Sequence, residues 1–308
     1  MTGSVLKWRL VYMQNPELKE RRRSLRVKCA AGEPRANLLG VGISAISMTD
    51  AIYYSDRLLQ SDKHGYICVT GVHGVMEAQT DERFRSILNA SFLTTPDGMP
   101  TVWVGHWQGH DKMTRVSGPE YMLEMCQLSV ERGYTNYLYG GKPGVAEELR
   151  DSLLARFPGL KIVGTYTPPY GPLSREQEAD LARQIDRVRP DILWCGISTP
   201  KQERFMSQYC GKFPVKLMVG VGAAFDIHSG HSKDAPDWIK NAGMHWLLRM
   251  LRDPRRLTGR YLKNNPRFLC LIGLQLVGLR RYFIMKPERT AARIHADTSV
   301  PALGQRAS

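Results

Sequence analysis

The chain has 308 residues, 43% hydrophobic and 23% charged, with 43 Lys/Arg against 29 Asp/Glu and a net charge of +14. This composition excludes a wholly disordered chain, a collagen-like repeat and a polytopic membrane protein. The charge is unevenly spread: residues 1–36 carry 9 Lys/Arg against 3 Asp/Glu, residues 240–308 carry 14 against 3, and the stretch between carries 20 against 23. A near-neutral body with basic ends, and no nucleic-acid motif, argues against a nucleic-acid partner.

Residues 1–36, with the run Arg21-Arg22-Arg23 and little apolar periodicity, predict a poorly ordered basic arm. No apolar stretch follows these charges, so they do not read as a secretory signal. From Asn37 onward short apolar runs alternate with amphipathic segments. The runs are 66–70, 91–95, 135–139, 160–164, 191–195 and 216–222, and the helices expected between them include Gly74–Asn89, Pro119–Arg132, Val145–Phe157, Arg175–Arg189 and Gln202–Phe213. Strand, turn and helix repeated in this way predict an α/β domain over 37–238, a Rossmann-like, largely parallel sheet with flanking helices. Six scattered cysteines (Cys29, Cys68, Cys126, Cys195, Cys210, Cys270), without a CxxC pair, read as buried reduced thiols of a cytosolic protein.

Residues 239–285 form a basic helical appendage, and 286–308 a frayed polar tail. Within the appendage, Phe268–Leu279 is a 12-residue apolar run closed by Arg280 and Arg281. A helix needs roughly 20 residues to cross a bilayer, so the run does not span. It could embed shallowly in a membrane, pack on the α/β body, or form a contact in a homo-oligomer.

In a parallel sheet, ligands lie at the carboxyl ends of the strands. At one such junction Gly140, Gly141 and Gly144 stand before a helix and suit either a diphosphate cradle or a plain tight turn. Another holds Lys201, Gln202 and Glu203, which could meet phosphate, a base or sugar edge, and ribose hydroxyls, or simply begin a helix. A third is Pro96-Asp97-Gly98, where Asp97 is either a turn former or a general base toward an acceptor hydroxyl. Arg115, Gly222 and Asp226 sit at further junctions of this kind. Arg249, Arg252, Arg255, Arg256 and Arg260 crowd a dozen residues containing only one acid, Asp253, and point to anionic lipid or diphosphate. No Asp-x-Asp occurs, which argues against a metal-held nucleotide sugar.

Together these blocks resemble the WecG/TagA/CpsF family of glycosyltransferases over about residues 37–270. The matching stretches are Pro96–Pro100, Arg115–Gly118, Tyr139–Ala146, Pro200–Glu203, Val219–Asp226, Ala235–Trp238, His245–Arg249 and Asp253–Arg256. The resemblance implies inverting transfer, without a metal or other cofactor, from a UDP-sugar of N-acetylmannosamine, its uronic acid, or glucose type. The acceptor would be a polyprenyl-diphosphate-linked saccharide, at the cytoplasmic face of a bacterial plasma membrane, in envelope or exopolysaccharide synthesis. It implies Asp97 as base, the Gly-Gly turn and Pro-Lys-Gln-Glu block at the nucleotide, and the arginines at Arg249 and beyond on the acceptor diphosphate. The chain departs from the family at its Thr-x-Asn, where Val69 and Gly71 stand with Thr70 between them, leaving Thr70 or His73 to take part. The family's Arg-Ala-Pro is Asp234-Ala235-Pro236, and its Glu before Trp246 is His245. The competing reading, a nucleotide-binding oxidoreductase, needs a dinucleotide fingerprint that is missing here.

Overall fold

In the computed structural model, which describes residues 33–285, two short strands come first: β1 (Arg35–Leu38) and β2 (Val41–Ser44). They pair as a hairpin whose Leu39 and Gly40 both have positive φ, the backbone of a tight two-residue turn. The contacts divide the chain into Met1–Arg35 and Ala36–Ser308, and the elements beyond Arg35 belong to the second unit. The basic arm (except residues 33–36) and the tail 286–308 expected from sequence lie outside the described residues.

Helix α1 (Met48–Leu59) begins at a reciprocal cap: Ser47 Oγ accepts from Asp50 N–H, and Asp50 accepts from Ser47 N–H. Then come β3 (Gly65–Thr70), α2 (Val72–Glu77), α3 (Glu82–Ala90), β4 (Leu93–Pro96) and α4 (Met99–Trp107). Helix α5 (Gly118–Arg132), β5 (Thr135–Gly140), α6 (Val145–Arg156), β6 (Lys161–Tyr166), α7 (Arg175–Val188) and β7 (Ile192–Gly196) follow. The chain continues through α8 (Lys201–Tyr209), β8 (Leu217–Gly220), α9 (Ala224–His228), α10 (Asp237–Asn241), α11 (His245–Arg252) and α12 (Pro254–Leu276).

Strands β3 to β8 form one sheet in the order β4-β3-β8-β7-β5-β6, every pair parallel. The expected α/β, Rossmann-like architecture is therefore present. Central strands such as β7 and β8 are buried nearly throughout, which is why they read as continuous apolar runs. On one face Tyr139, Leu193, Cys195 and Met218 share a core with α3, α7, α8 and α12. On the other, Trp194 meets Tyr121 of α5 edge-on, and its indole N–H donates to Asn136 Oδ1 at 2.9 Å.

Three expectations need correction. The single helix over Gly74–Asn89 is two, because Asp81 accepts from Phe84 N–H at 2.8 Å and starts a new one. Cys68, Cys126 and Cys195 are buried as expected, but Cys270 is exposed. The apolar run is not a separate segment but mostly the end of α12, and its two faces differ. Phe268 and Ile272, one turn apart, belong to the core of the α/β body, while Leu269, Val277 and Leu279 are 66%, 69% and 78% exposed. Gln275 fastens the helix to the hairpin, donating to Asn37 O at 2.7 Å and accepting from Leu39 N–H at 2.9 Å. Among the described residues no helix is long and apolar enough to cross a membrane.

Candidate active site

The register brings the strand ends to one edge: Thr70 of β3 lies beside Pro96 of β4, Cys68 and Cys195 flank Gly220 of β8, and Gly140 of β5 lies beside Gly196 of β7. The junctions singled out in the sequence lie along it.

Asp97 follows β4, partly buried, and its N–H donates to Thr70 O at 3.0 Å. A Cβ at Gly71 would stand 2.5 Å from Asp97 O, so this backbone holds only glycine where the family has asparagine. Thr70 itself is buried, its methyl against Gly74, beneath the first turn of α2. His73, in that turn, lies 3.7 Å from Glu77 and 3.5 Å from the amide of Asn264 in α12. The C-terminal helix thus reaches the edge beside Thr70.

The backbone segment that carries Arg115 is tied to the Pro96–Asp97 turn, because Val116 N–H donates to Pro96 O at 2.9 Å. A Cβ at Gly118 would stand 2.8 Å from Val221 O, so the 115–118 segment joins the ends of β4 and β8. The Arg115 guanidinium bonds Glu120 at 2.8 Å, while its Nε is buried without a hydrogen-bond partner among the described residues. Glu120 in turn accepts from Lys240, whose ammonium also meets Asp234 and Asp237 at 2.9 Å. Burial works to lower the Lys240 pKa, but the bonds from Asp237, Asp234 and Glu120 outweigh it and the net shift is upward. Burial likewise works to raise Glu120, yet Arg115 and Lys240 hold it below the usual range. Asp234, which stands in place of the family's arginine, is therefore half of an ion pair with Lys240.

Gln202 and Glu203 are fully buried rather than open to the edge. Gln202 accepts from Gly222 N–H at 3.1 Å and donates to Glu203, which also accepts from Thr199 at 2.8 Å. Gly222 has φ +52, so the pair braces a turn in a conformation that favours glycine. Burial pushes the Glu203 pKa up, and its Oε2 has no partner among the described residues. Lys201 is exposed, its ammonium 4.7 Å from the centre of the Tyr170 ring.

Gly140 is held for close approach: a Cβ there would meet Gly196 O at 2.6 Å. Gly141 and Gly144 have positive φ, Gly144 as the cap of α6, and the first turn of α6 carries Glu147 and Glu148. Glu148 pairs closely with His231, and Thr165 donates to Glu147. A cleft at this turn is lined by Lys142, Pro143, Val145, Asp226, His231 and Ser232, which brings Asp226 to the glycine turn.

The arginines are divided between two helices, parted just before Pro254. Asp253, with φ −137 and ψ 68, breaks the chain, leaving Arg249 and Arg252 on α11 and Arg255, Arg256 and Arg260 on α12. Arg249 is partly exposed and Arg255 exposed, and the side chains of the other three lie outside the description. Sequence reading missed the Glu120–Lys240 link, because Lys240 counted only toward the basic charge of the C-terminus. Among the described residues no His, Cys, Asp or Glu cluster is arranged to hold a metal ion.

The family model for the glycosyl transferase WecG/TagA/CpsF family matches residues 36–282. The chain belongs to that family. The WecG/TagA/CpsF assignment makes it a glycosyltransferase and removes the oxidoreductase reading. Curated relatives include two proteins named N-acetylglucosaminyldiphosphoundecaprenol N-acetyl-β-D-mannosaminyltransferase. The one from Bacillus subtilis (strain 168) is 25% identical over 244 residues, covering 79% of this chain and 92% of the relative. The one from Bacillus spizizenii is 26% identical over 237 residues, covering 77% and 85%.

Two stability measurements test this geometry. Lys240→Met removes the cation that Glu120, Asp234 and Asp237 share, while Glu120 keeps Arg115. Breaking a fully buried pair costs about 3–5 kcal/mol; Glu120 and Asp234 are about one-third exposed, so a loss of about 2 kcal/mol is expected, lowering Tm by about 4–8 °C. Lys240→Arg should recover part of it, and an unchanged Tm in Lys240→Met would contradict the network. For Glu203, a raised pKa means the folded protein holds the proton more tightly than the unfolded chain. Wild-type stability then declines as pH rises above the carboxylate range near about 4. The Tm advantage of Glu203→Gln should widen from about pH 5 to about pH 8; a gap that stays constant would place the carboxyl in an ordinary environment.

Proposed function

We propose that this enzyme transfers an N-acetylmannosamine-type sugar from its UDP donor to a polyprenyl-diphosphate-linked saccharide, inverting the anomeric carbon without a metal. The observation that carries the reading is that the turn bearing Asp97 and the segment bearing Arg115 are joined through their backbones at the ends of β4 and β8. The relatives' names support the sugar and the acceptor class.

In this reading the acceptor hydroxyl attacks the anomeric carbon from the face opposite UDP. The new C–O bond forms as the bond to the UDP oxygen breaks, and Asp97 takes the hydroxyl proton. Charge growing on the leaving diphosphate needs donors. Arg115, whose Nε has no partner among the described residues, and exposed Lys201 are suited to supply them. The backbone N–H groups of Lys142 and Gly144 and the turn at Gly222, braced by Gln202 and Glu203, would complete the nucleotide site, with Asp226 at its rim. The chain's lack of an Asp-x-Asp supports metal independence. Arg249, Arg252, Arg255, Arg256 and Arg260 would hold the acceptor diphosphate. The same basic segment, with the exposed Leu269, Val277 and Leu279, would rest on an anionic bilayer at its cytoplasmic face.

The test is a donor panel: UDP-N-acetylmannosamine, its uronic acid and UDP-glucose, each with polyprenyl-diphosphate-linked N-acetylglucosamine and with or without EDTA. Transfer from UDP-N-acetylmannosamine, with an inverted anomeric centre by NMR and no loss in EDTA, is expected. Transfer that demands added manganese or magnesium, a retained configuration, or no use of any UDP-sugar would contradict the proposal.

A further inference from the structure

Helix α4 follows the candidate base directly, its first residue two positions beyond Asp97. A helix on a soluble surface turns its large apolar side chains inward. Here Val102 and Val104 do so, while Trp103 and Trp107, one turn apart on a shared face, are 40% and 67% exposed.

The tryptophan face lies beside the C-terminal helices. At the turn between α10 and α11, a Cβ on Gly243 would come within 2.6 Å of the Trp103 ring, and φ +70 demands glycine there independently. At the other end, Gln108 just after α4 and Gln275 of α12 both donate to Asn37 O, at 2.8 and 2.7 Å. Exposed Met244, Trp246 and Leu251 extend the apolar surface onto α11. The C-terminal segment beside it is basic: residues 240–285 hold 10 Lys/Arg against a single Asp.

We infer that the Trp103–Trp107 face of α4 is a second membrane-contacting surface, which seats in the headgroup region of an anionic bilayer beside the C-terminal helices. The inference rests on the membrane reading above and extends it to the helix that carries the candidate base at its start. Indole rings, apolar with one N–H, prefer the bilayer–water interface. Cations alongside favour anionic lipid over a neutral partner. Asp97 lies within about 20 Å of Trp107 along the chain, so a bilayer held at α4 keeps a lipid-linked diphosphate near that carboxylate.

The experiment uses the full chain with vesicles of phosphatidylglycerol and phosphatidylcholine in equal parts, or phosphatidylcholine alone, some with brominated acyl chains. Wild type should sediment with the anionic vesicles and show fluorescence quenching by brominated lipid. Trp103→Gln/Trp107→Gln should bind about tenfold more weakly or worse, and Trp107→Gln alone about threefold. Tm, UDP binding and turnover on a water-soluble short-chain acceptor should be unchanged in both. If the double variant unfolds, the single variant at the more exposed Trp107 decides. Vesicle affinity equal to wild type overturns the inference, as does a shift from dimer to monomer in ultracentrifugation with vesicle binding intact, which would make the face a subunit contact. Leu269→Gln/Val277→Gln separates the two readings. If it loses vesicle binding while the tryptophan variants keep theirs, the C-terminal contact stands and α4 is excluded; if wild type binds no vesicles, the membrane reading itself fails.

Discussion

The backbone clamp on the Pro96–Asp97 turn is the constraint on which the rest of the site depends. Asp97 N–H binds the Thr70 carbonyl of the neighbouring strand, and the Pro96 carbonyl receives Val116 N–H from the other side. Both bonds are main-chain, so they hold the candidate base in place whatever its side chain does. They also tie down the segment of Arg115, one residue from the bond that joins it to β4. Glycine at 71 and 118 is what lets three backbones approach closely enough for this.

From Arg115 the order passes outward by charge. Glu120 holds the guanidinium, Lys240 holds Glu120, and Asp234 and Asp237 complete the shell around the ammonium. Because Lys240 lies on α10, the segment leading to the C-terminal arginines is fastened to the same loop that carries Arg115. A second attachment, through Phe268, Ile272 and Gln275, buries one face of α12 in the α/β body. On the same helix Leu262, Leu269 and Leu276 stay exposed.

Much of the scaffold was legible in the residues. All six strands of the sheet lie within a residue or two of apolar runs; five are buried nearly throughout and leave a continuous signal, while the edge strand β6 is only partly buried. The hairpin at Leu39-Gly40 was not, since Leu carries none of the usual turn chemistry, and the break at Asp81 was hidden inside a periodic stretch. Helix α1 had a legible start in Ser47 and Asp50 that went unread. At the site, residue identity pointed to the right edge but not to each role. Gln202 and Glu203 look like ligand contacts in a sequence, yet burial turns them into braces for Gly222. Lys240 looks like one more surface cation until the fold surrounds it with acids from two separate segments. Side-chain pairings between distant segments leave no periodic trace, so only the fold discloses them.

The account centres on one carboxylate, and the most direct measurement compares Asp97→Asn with wild type in single-turnover transfer and in UDP titration. Asparagine keeps the shape of the side chain and the main-chain clamp while removing the proton acceptor. Turnover is predicted to fall by about 10²–10⁴-fold with UDP affinity and Tm essentially unchanged. Near wild-type turnover in the variant would contradict the account, because the proton would then leave the acceptor by another route. An equal loss of UDP binding would also contradict it, by making Asp97 part of the donor site rather than the base.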